Sequence, residues 1–160
     1  MRGPEDDAED SPPTTSRGPQ DRGEEAKVAI LYCGNMGHLH DVETVAQYLK
    51  GTEDDGVDWR FQATGAGYER FKAELGNPRR SGLHLGASLG DEEWAAAMRS
   101  AAVALVTMRE GAEKILMPSK TYSALRAGQA ILAVCPRESD LADLVRRHDC
   151  GWVVEPGDVA

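Results

Sequence analysis

Residues 27–51 read KVAILYCGNMGHLHDVETVAQYLKG. The apolar run at 27–33 is typical of a strand that is buried on both faces. A loop with two glycines follows at once, and residues 41–51 then place apolar side chains at helical spacing. Asp41 is the predicted N-cap of that helix. A strand, a glycine loop and a helix in succession indicate the start of a βαβ unit.

The same alternation continues along the rest of the chain, where short apolar runs are separated by amphipathic stretches of about ten residues. Further strands are predicted at 57–64, 82–86, 103–108, 130–135 and 151–155, and further helices at 67–76, 91–101, 119–128 and 139–151. This order predicts an α/β fold with a Rossmann-like, doubly wound parallel sheet of about six strands in a single domain. Ligands of such sheets bind beyond the carboxyl ends of the strands.

The N-terminal 25 residues have a different composition from the rest. They are rich in Pro, Gly, Ser and carboxylates, and they contain no Val, Ile, Leu or aromatic residue. Eight acidic residues and three arginines give this stretch −5 of the formal net charge of −9. Such a segment cannot bury enough apolar surface to offset its ordering entropy. We therefore predict a disordered tail at 1–25 and a folded domain at 26–160.

Several classes of protein are disfavoured by composition. The body has no stripe of Lys and Arg with interleaved aromatic residues, so we expect no nucleic acid partner. No stretch approaches the roughly 18 apolar residues of a membrane span, and no signal peptide is apparent, so we expect a cytoplasmic protein. Cys33, Cys135 and Cys150 show no metal-ligand spacing and are predicted to be buried, reduced thiols. We expect neither a metal ion nor an organic cofactor.

The loop after the first strand is the first candidate binding site. It consists of Gly34, Asn35, Met36 and Gly37. Glycine lets a ligand lie against the main chain, although a plain strand-to-helix turn would also explain these glycines. His38 is a candidate ligand contact, whereas His40, His84 and His148 are more readily explained as structural. A second loop is expected on the same side of the sheet, and its Gly65 and Gly67 are further candidate contacts to a ligand.

A second candidate lies at the predicted helix 119–128. Pro118 fixes the chain ahead of this helix, and Ser119 and Lys120 are its first residues. Backbone N–H groups, a hydroxyl and an ammonium would converge there and form an anion site. An ordinary capped helix with an exposed lysine is the alternative. The sequence offers no catalytic motif such as G-x-S-x-G or H-E-x-x-H.

Taken in order, the motifs resemble those of the C-terminal domain of GT-B glycosyltransferases, family 4-like, over nearly all of residues 27–158. The matching segments are YCGNMG, FQATGAG, LHLG, EGAEKILMPSKTYSALRAGQAILAV and HDCGWVVEPGD. The resemblance implies a Rossmann-like domain that binds a nucleoside diphosphate sugar. It also implies transfer of the sugar to an acceptor hydroxyl, with retention, and an acceptor site on a separate N-terminal domain.

The resemblance also implies roles for particular residues. The loop at 34–37 would approach the donor diphosphate, and Ser119 and Lys120 would bind phosphate. Residues 85–89, which include Gly86, would lie beside the base, and Glu110 and Gly111 near the sugar.

The chain departs from the family pattern in two regions. Many relatives carry a pair of glutamates around the helix at 119–128, the second of which binds the ribose. Ile115 and Ser123 occupy those positions here, and Ser123 is a candidate contact to the donor. Asn35 stands where relatives often have arginine, and the lysine often found slightly later has no counterpart at 38–44.

The acceptor domain and the last helices of relatives have no counterpart in these 160 residues. We therefore expect a donor-binding half that a further domain or a partner subunit completes. A non-catalytic module that binds a nucleotide or nucleotide sugar is the alternative, and a flavodoxin-like domain is a third, less favoured interpretation.

Overall fold

The structure of the protein is a computed structural model that describes residues 27–112 and 120–159. The strands are β1 (Val28–Asn35), β2 (Val57–Thr64), β3 (Leu83–Ala87), β4 (Val103–Thr107), β5 (Ala130–Val134) and β6 (Gly151–Val154). The helices are α1 (Glu43–Gly51), α2 (Ala66–Leu75), α3 (Asp91–Ser100), α4 (Lys120–Arg126) and α5 (Asp140–His148). Every predicted strand and helix is present, with ends that differ by three residues or fewer.

All six strands pair in parallel, in the order β3-β2-β1-β4-β5-β6. This is the strand order of a doubly wound sheet, and it confirms the predicted fold class. The order reverses between β1 and β4, so the crevice between their carboxyl ends is the expected ligand position.

Helices cover both faces of the sheet. Because side chains alternate along each buried strand, one strand contributes apolar side chains to both layers. On β1, Leu31 and Cys33 face the cluster that contains residues of α3, α4 and α5. Ile30 and Tyr32 face the opposite cluster, which contains residues of α1 and α2. The continuous apolar run at the start of the domain therefore supplies both layers of the core.

β1 and β4 pair only at their amino-terminal ends. The paired residues are Ile30 with Val103 and Leu31 with Ala104, although β1 continues to Asn35 and β4 to Thr107. The two strands therefore part before their carboxyl ends, at the point where the strand order reverses.

A polar cluster stabilises the opposite end of the sheet, just before β2. Asp55 accepts hydrogen bonds from Arg80 Nη2 at 2.8 Å, Trp59 Nε1 at 2.9 Å and the Tyr48 hydroxyl at 3.0 Å. The Arg80 side chain is fully buried. These bonds attach the segment before β3 to the start of β2, far from the carboxyl ends of the strands.

Several smaller predictions can be compared with the structure. Asp41 lies one residue before the N-cap of α1, Val42, and still accepts the Thr44 N–H at 3.1 Å. The three cysteines are free, two of them buried and one half-buried. Within the described ranges, no helix is long and apolar enough to cross a membrane.

Candidate functional site

Lys120, the first residue of α4, lies across the carboxyl end of β1. Its Nζ donates a hydrogen bond to the main-chain carbonyl of Asn35 at 2.8 Å and another to the hydroxyl of Tyr32. Nζ also lies 3.9 Å from the centroid of the Tyr32 ring, a cation–π distance. Burial lowers the pKa of Lys120 to about 8. The side chain therefore remains mostly protonated at pH 7.

Gly34 provides the space in which the lysine crosses the strand. A Cβ atom at this position would lie 3.0 Å from Lys120 Cε, and the φ angle of +127° disfavours any L side chain. The sequence predicted that this glycine lets a ligand approach the main chain. In the structure, its immediate neighbour is the side chain of Lys120.

Tyr32 connects the lysine to the core. Its ring is completely buried and stacks on Phe61 at a centroid distance of 6.4 Å. Its hydroxyl donates to the Asn35 carbonyl at 2.9 Å and accepts from Lys120. Burial raises the pKa of the phenol, so Tyr32 is neutral. Sequence reasoning missed this residue, and its one signal was a hydroxyl-bearing side chain inside an otherwise aliphatic run.

His40 lies between β1 and β4, where the two strands part. Its Nδ1 is 3.1 Å from the carbonyl oxygen of Thr107 and 3.2 Å from the Thr107 hydroxyl. We assign the proton to Nδ1, because the carbonyl can only accept whereas the hydroxyl can take either role. Burial and the charge of Lys120 lower the pKa of His40 to about 4. The imidazole is therefore neutral, and the position agrees with the structural role that the sequence favoured.

The second glycine loop packs directly against the first. Met36 N–H donates to the Thr64 carbonyl at 2.7 Å, and Gly67 N–H donates to the Met36 carbonyl at 2.8 Å. A Cβ atom at Gly65 would lie 2.5 Å from Asn35 Oδ1, and one at Gly67 would lie 2.4 Å from the Gly37 carbonyl. The two loops share one side of the sheet, as expected. Close packing of the loops is sufficient to explain both glycines.

The segment after β4 holds the first loop from its other side. Arg109 N–H donates to the Leu39 carbonyl at 2.8 Å, and its guanidinium donates to the His38 carbonyl at 3.3 Å. Arg109 was not among the predicted site residues. His38 itself is exposed, and its side chain is free to meet a ligand.

Glu110 is exposed and borders two open cavities. One, of about 270 Å³, also includes Arg109 and Gln47 in its wall, and the other, of about 440 Å³, includes Arg137. Gly111 lies beside Glu110 in a turn with a φ angle of +91°. The two residues predicted near the sugar therefore flank open space at the carboxyl edge of the sheet.

The other predicted residues are distributed around this centre. Gly86, on β3, lines a cavity of about 370 Å³ together with Leu85 and Tyr68. Ser123 lies one turn after Lys120 on α4 and is half-buried. The positions of Pro118 and Ser119 lie outside the described residues, so the anion site predicted at the helix start is represented here by Lys120.

The site so assembled can bind an anion. Its centre is a half-buried ammonium at the reversal point of the strand order, and the groups that face it are neutral. Tyr32 and Cys33 keep their protons because burial raises the pKa of each, and His40 is uncharged. Within the described residues, no carboxylate forms an ion pair with Lys120. A phosphate is an anion of the kind that such an ammonium can bind.

Comparison with known proteins identifies one informative relative. The probable glycosyltransferase WbjE of Pseudomonas aeruginosa is 25% identical to this chain over 132 residues, which are 82% of this chain and 33% of WbjE. The chain is a distant relative of a glycosyltransferase. It spans about a third of the length of that relative. No protein-family model matches the sequence.

Solved structures with the same fold include two from trehalose metabolism. The N-terminal domain of trehalose-6-phosphate phosphatase from Candida albicans gives a TM-score of 0.58 at 14% identity, covering 85% of this chain and 32% of that one. A UDP-forming α,α-trehalose-phosphate synthase from Burkholderia xenovorans, in complex with glucose-6-phosphate, gives 0.52 at 14% identity, covering 83% and 34%. The WbjE homology and this shared fold agree with the resemblance to the C-terminal domain of a GT-B glycosyltransferase.

Proposed function

We propose that this domain binds the nucleoside diphosphate sugar of a glycosyltransferase, with Lys120 and the loop at 34–37 on the diphosphate. The observation that carries the proposal is the ammonium of Lys120, held at the carboxyl end of β1 by neutral oxygen atoms. Proteins with this fold have many functions. The homology to WbjE supports a sugar-transferring function for this chain over the others.

The chemistry requires little of the domain beyond charge stabilisation. In glycosyl transfer, the bond between the anomeric carbon and the diphosphate oxygen breaks, and an acceptor hydroxyl oxygen bonds to that carbon and loses its proton. Negative charge develops on the departing diphosphate. A fixed ammonium stabilises that charge most effectively when it is already in place and partly shielded from water. Lys120 meets both conditions.

Transfer of the sugar, with retention of the anomeric configuration, is the full reaction that we propose. A further domain or a partner subunit supplies the acceptor in this proposal. The open cavities beside Glu110 at the carboxyl edge of the sheet are the space in which the donor sugar would face that acceptor.

Binding of nucleoside diphosphates to the purified 160-residue chain tests the proposal directly. UDP, GDP, ADP, CDP and dTDP are titrated by calorimetry against the wild type and against Lys120→Met. We expect at least one of them to bind, and we expect Lys120→Met to weaken that binding by about tenfold to a hundredfold, as for loss of a charged hydrogen-bond partner. Lys50→Met is the matched control, because Lys50 is exposed in the last turn of α1.

The pH dependence gives an independent check. Because the pKa of Lys120 is lowered to about 8, nucleotide affinity should fall as the pH rises above that value. Lys120→Arg keeps its charge and should show a flatter profile between pH 7 and 9, whatever its affinity at pH 7. Binding that is unchanged in Lys120→Met, or no binding of any of the five nucleotides, would contradict the proposal.

A non-catalytic nucleotide-binding module is the second candidate, and Ser123 favours it. This residue lies one turn beyond Lys120, where the family pattern has a carboxylate. Hydrolysis or transfer of a donor sugar by the chain, alone or with a partner that supplies the acceptor domain, would decide against this candidate.

A further inference from the structure

The hydroxyl of Tyr32 is a buried polar group that the packing of the core does not explain. The Tyr32 ring packs against Phe61 and lies edge-on to His40, and a phenylalanine would make the same contacts. The additional oxygen atom lies at the carboxyl end of β1, beside the ammonium of Lys120.

The hydroxyl of Tyr32 has three polar neighbours: the Asn35 carbonyl, the Lys120 ammonium and, at 3.5 Å, His40 Nδ1. A phenol has one proton to donate and two lone pairs with which to accept. Tyr32 donates to the Asn35 carbonyl at 2.9 Å and accepts from Lys120, which donates to the same carbonyl at 2.8 Å. The ammonium has three protons, and these two bonds use two of them. Among the residues that the structure describes, no further acceptor contacts Nζ, and the third proton can face a ligand.

We propose that Tyr32 is a positioning residue, whose hydroxyl acts with the Asn35 carbonyl to hold the ammonium of Lys120 where a diphosphate binds. This inference rests on the proposed function, in which Lys120 contacts the diphosphate. It assigns to a residue of the core a role in the affinity of the site.

The physical reason lies in the flexibility of lysine. A free lysine side chain samples many rotamers, and a ligand that immobilises it must offset that loss of entropy. Here two hydrogen bonds and the ring face of Tyr32 fix the ammonium before a ligand arrives. Gly34 contributes by leaving the space through which the stem of Lys120 passes. Tyr32 thus pre-organises the charge, and it need not touch the ligand.

Tyr32→Phe in the complete 160-residue chain is the test, because it removes only the hydroxyl. For the nucleoside diphosphate that binds the wild type, we expect an affinity about fivefold to twentyfold lower, which is less than for loss of Lys120 because the Asn35 carbonyl still holds the ammonium. In a Lys120→Met background, the same substitution should change affinity by less than about twofold, because the two residues act as one unit. A purely structural effect would persist in that background.

A second measurement does not depend on any nucleotide. The pKa of Lys120 is followed by NMR in protein with ¹³C-labelled lysine, and assigned with Lys120→Met. In the part of the chain that the structure describes, the titratable groups that face Lys120 are Tyr32, Cys33 and His40, and all are neutral at pH 7. Loss of the Tyr32 hydroxyl removes an acceptor that stabilises the charged form, so the pKa should fall in Tyr32→Phe.

Tyr48→Phe is the matched control. It removes the hydroxyl that donates to Asp55 at the opposite end of the sheet, and it should leave both the nucleotide affinity and the titration of Lys120 unchanged. Should Tyr32→Phe fail to fold, 3-fluorotyrosine at position 32 retains a weakened hydroxyl acceptor and should show a smaller fall in the same pKa.

The two proposals can fail separately. A wild type that binds none of the five nucleotides contradicts the proposed function, while the titration of Lys120 still decides the role of Tyr32. If Lys120 titrates at the same pH in Tyr32→Phe as in the wild type, then Tyr32 does not position the ammonium.

Discussion

The ring of His40 donates a hydrogen bond to the main-chain carbonyl of Thr107, at 3.1 Å, where β1 and β4 part. In a continuous sheet, a main-chain N–H of β1 would satisfy an oxygen atom in this position. The His40 side chain thus takes the place of a main-chain donor from β1. Because the strands part, the buried Thr107 carbonyl would otherwise have no donor, and an unpaired buried carbonyl is costly.

His40→Ala should therefore destabilise the domain. We expect a loss of about 1–3 kcal/mol in the free energy of unfolding, the usual penalty for a buried polar group without a partner. Urea denaturation at pH 7.5 measures it. His40→Asn, whose amide can donate from nearly the same place as Nδ1, should recover part of that loss. Equal stability of His40→Ala and the wild type would show that the bond to Thr107 contributes nothing.

The acid stability of the domain should depend on the same residue. The folded pKa of His40 is about 4 and the unfolded value is near 6.5, so between these values the unfolded chain takes up a proton that the folded chain does not. Stability therefore falls as the pH is lowered from 6.5 to 4. His40→Asn does not titrate in this range and should show a smaller slope in unfolding experiments across it. A slope as steep as that of the wild type would contradict the assignment of a neutral His40.

Gly34→Ala tests the crossing of Lys120 over β1. The new Cβ atom would lie 3.0 Å from Lys120 Cε, on a residue with a φ angle of +127°. We expect a loss of about 1–3 kcal/mol from backbone strain and crowding, measured by urea denaturation. In a Lys120→Ala background, the loss of stability that comes from crowding should disappear, and the loss from backbone strain should remain. A double-mutant cycle would measure the crowding contribution.

Gly37→Ala is the control for that substitution. Its nearest neighbour would be Asn35 Nδ2 at 3.8 Å, an ordinary contact, so its effect on stability should be small. If both alanine variants are equally stable, then the lysine stem does not constrain Gly34.

Asp55→Asn should disrupt the cluster at the other end of the sheet. It removes the charge opposite the buried guanidinium of Arg80, and a buried ion left without its partner typically destabilises a protein by about 3–5 kcal/mol. The melting temperature should fall strongly. Asp54→Asn is the control, because the neighbouring Asp54 is exposed. Nucleotide affinity, extrapolated to the folded protein, should not change, because the cluster is remote from Lys120.

The fold could be predicted from the sequence because its signals are local. A run such as 27–33 shows by itself that a strand is buried on both faces, and helices of about ten residues between such runs leave little choice but a parallel sheet. The strand order was not predicted, because doubly wound sheets occur with more than one order, and the pairings of β1 with β2 and β4 establish it.

The candidate site was only partly predictable, because its decisive contacts join residues distant in sequence. Lys120 was predicted from the residues next to it, but its partner Tyr32 is 88 positions away and resembles an ordinary core residue. The glycines at 65 and 67 were interpreted as room for a ligand, whereas the structure shows that they also make room for the first loop. Sequence alone does not distinguish these two reasons for a glycine.

The parting of β1 and β4 also bears on how quickly a ligand can associate. An internal contact of the chain, between His40 Nδ1 and the Thr107 carbonyl, lies where the strands part. For the proposed nucleotide site, no separation of these two strands would then be required before binding. Association would then be governed by diffusional encounter and by electrostatic attraction to the ammonium, and differences in affinity among nucleotides would appear mainly in their dissociation rates.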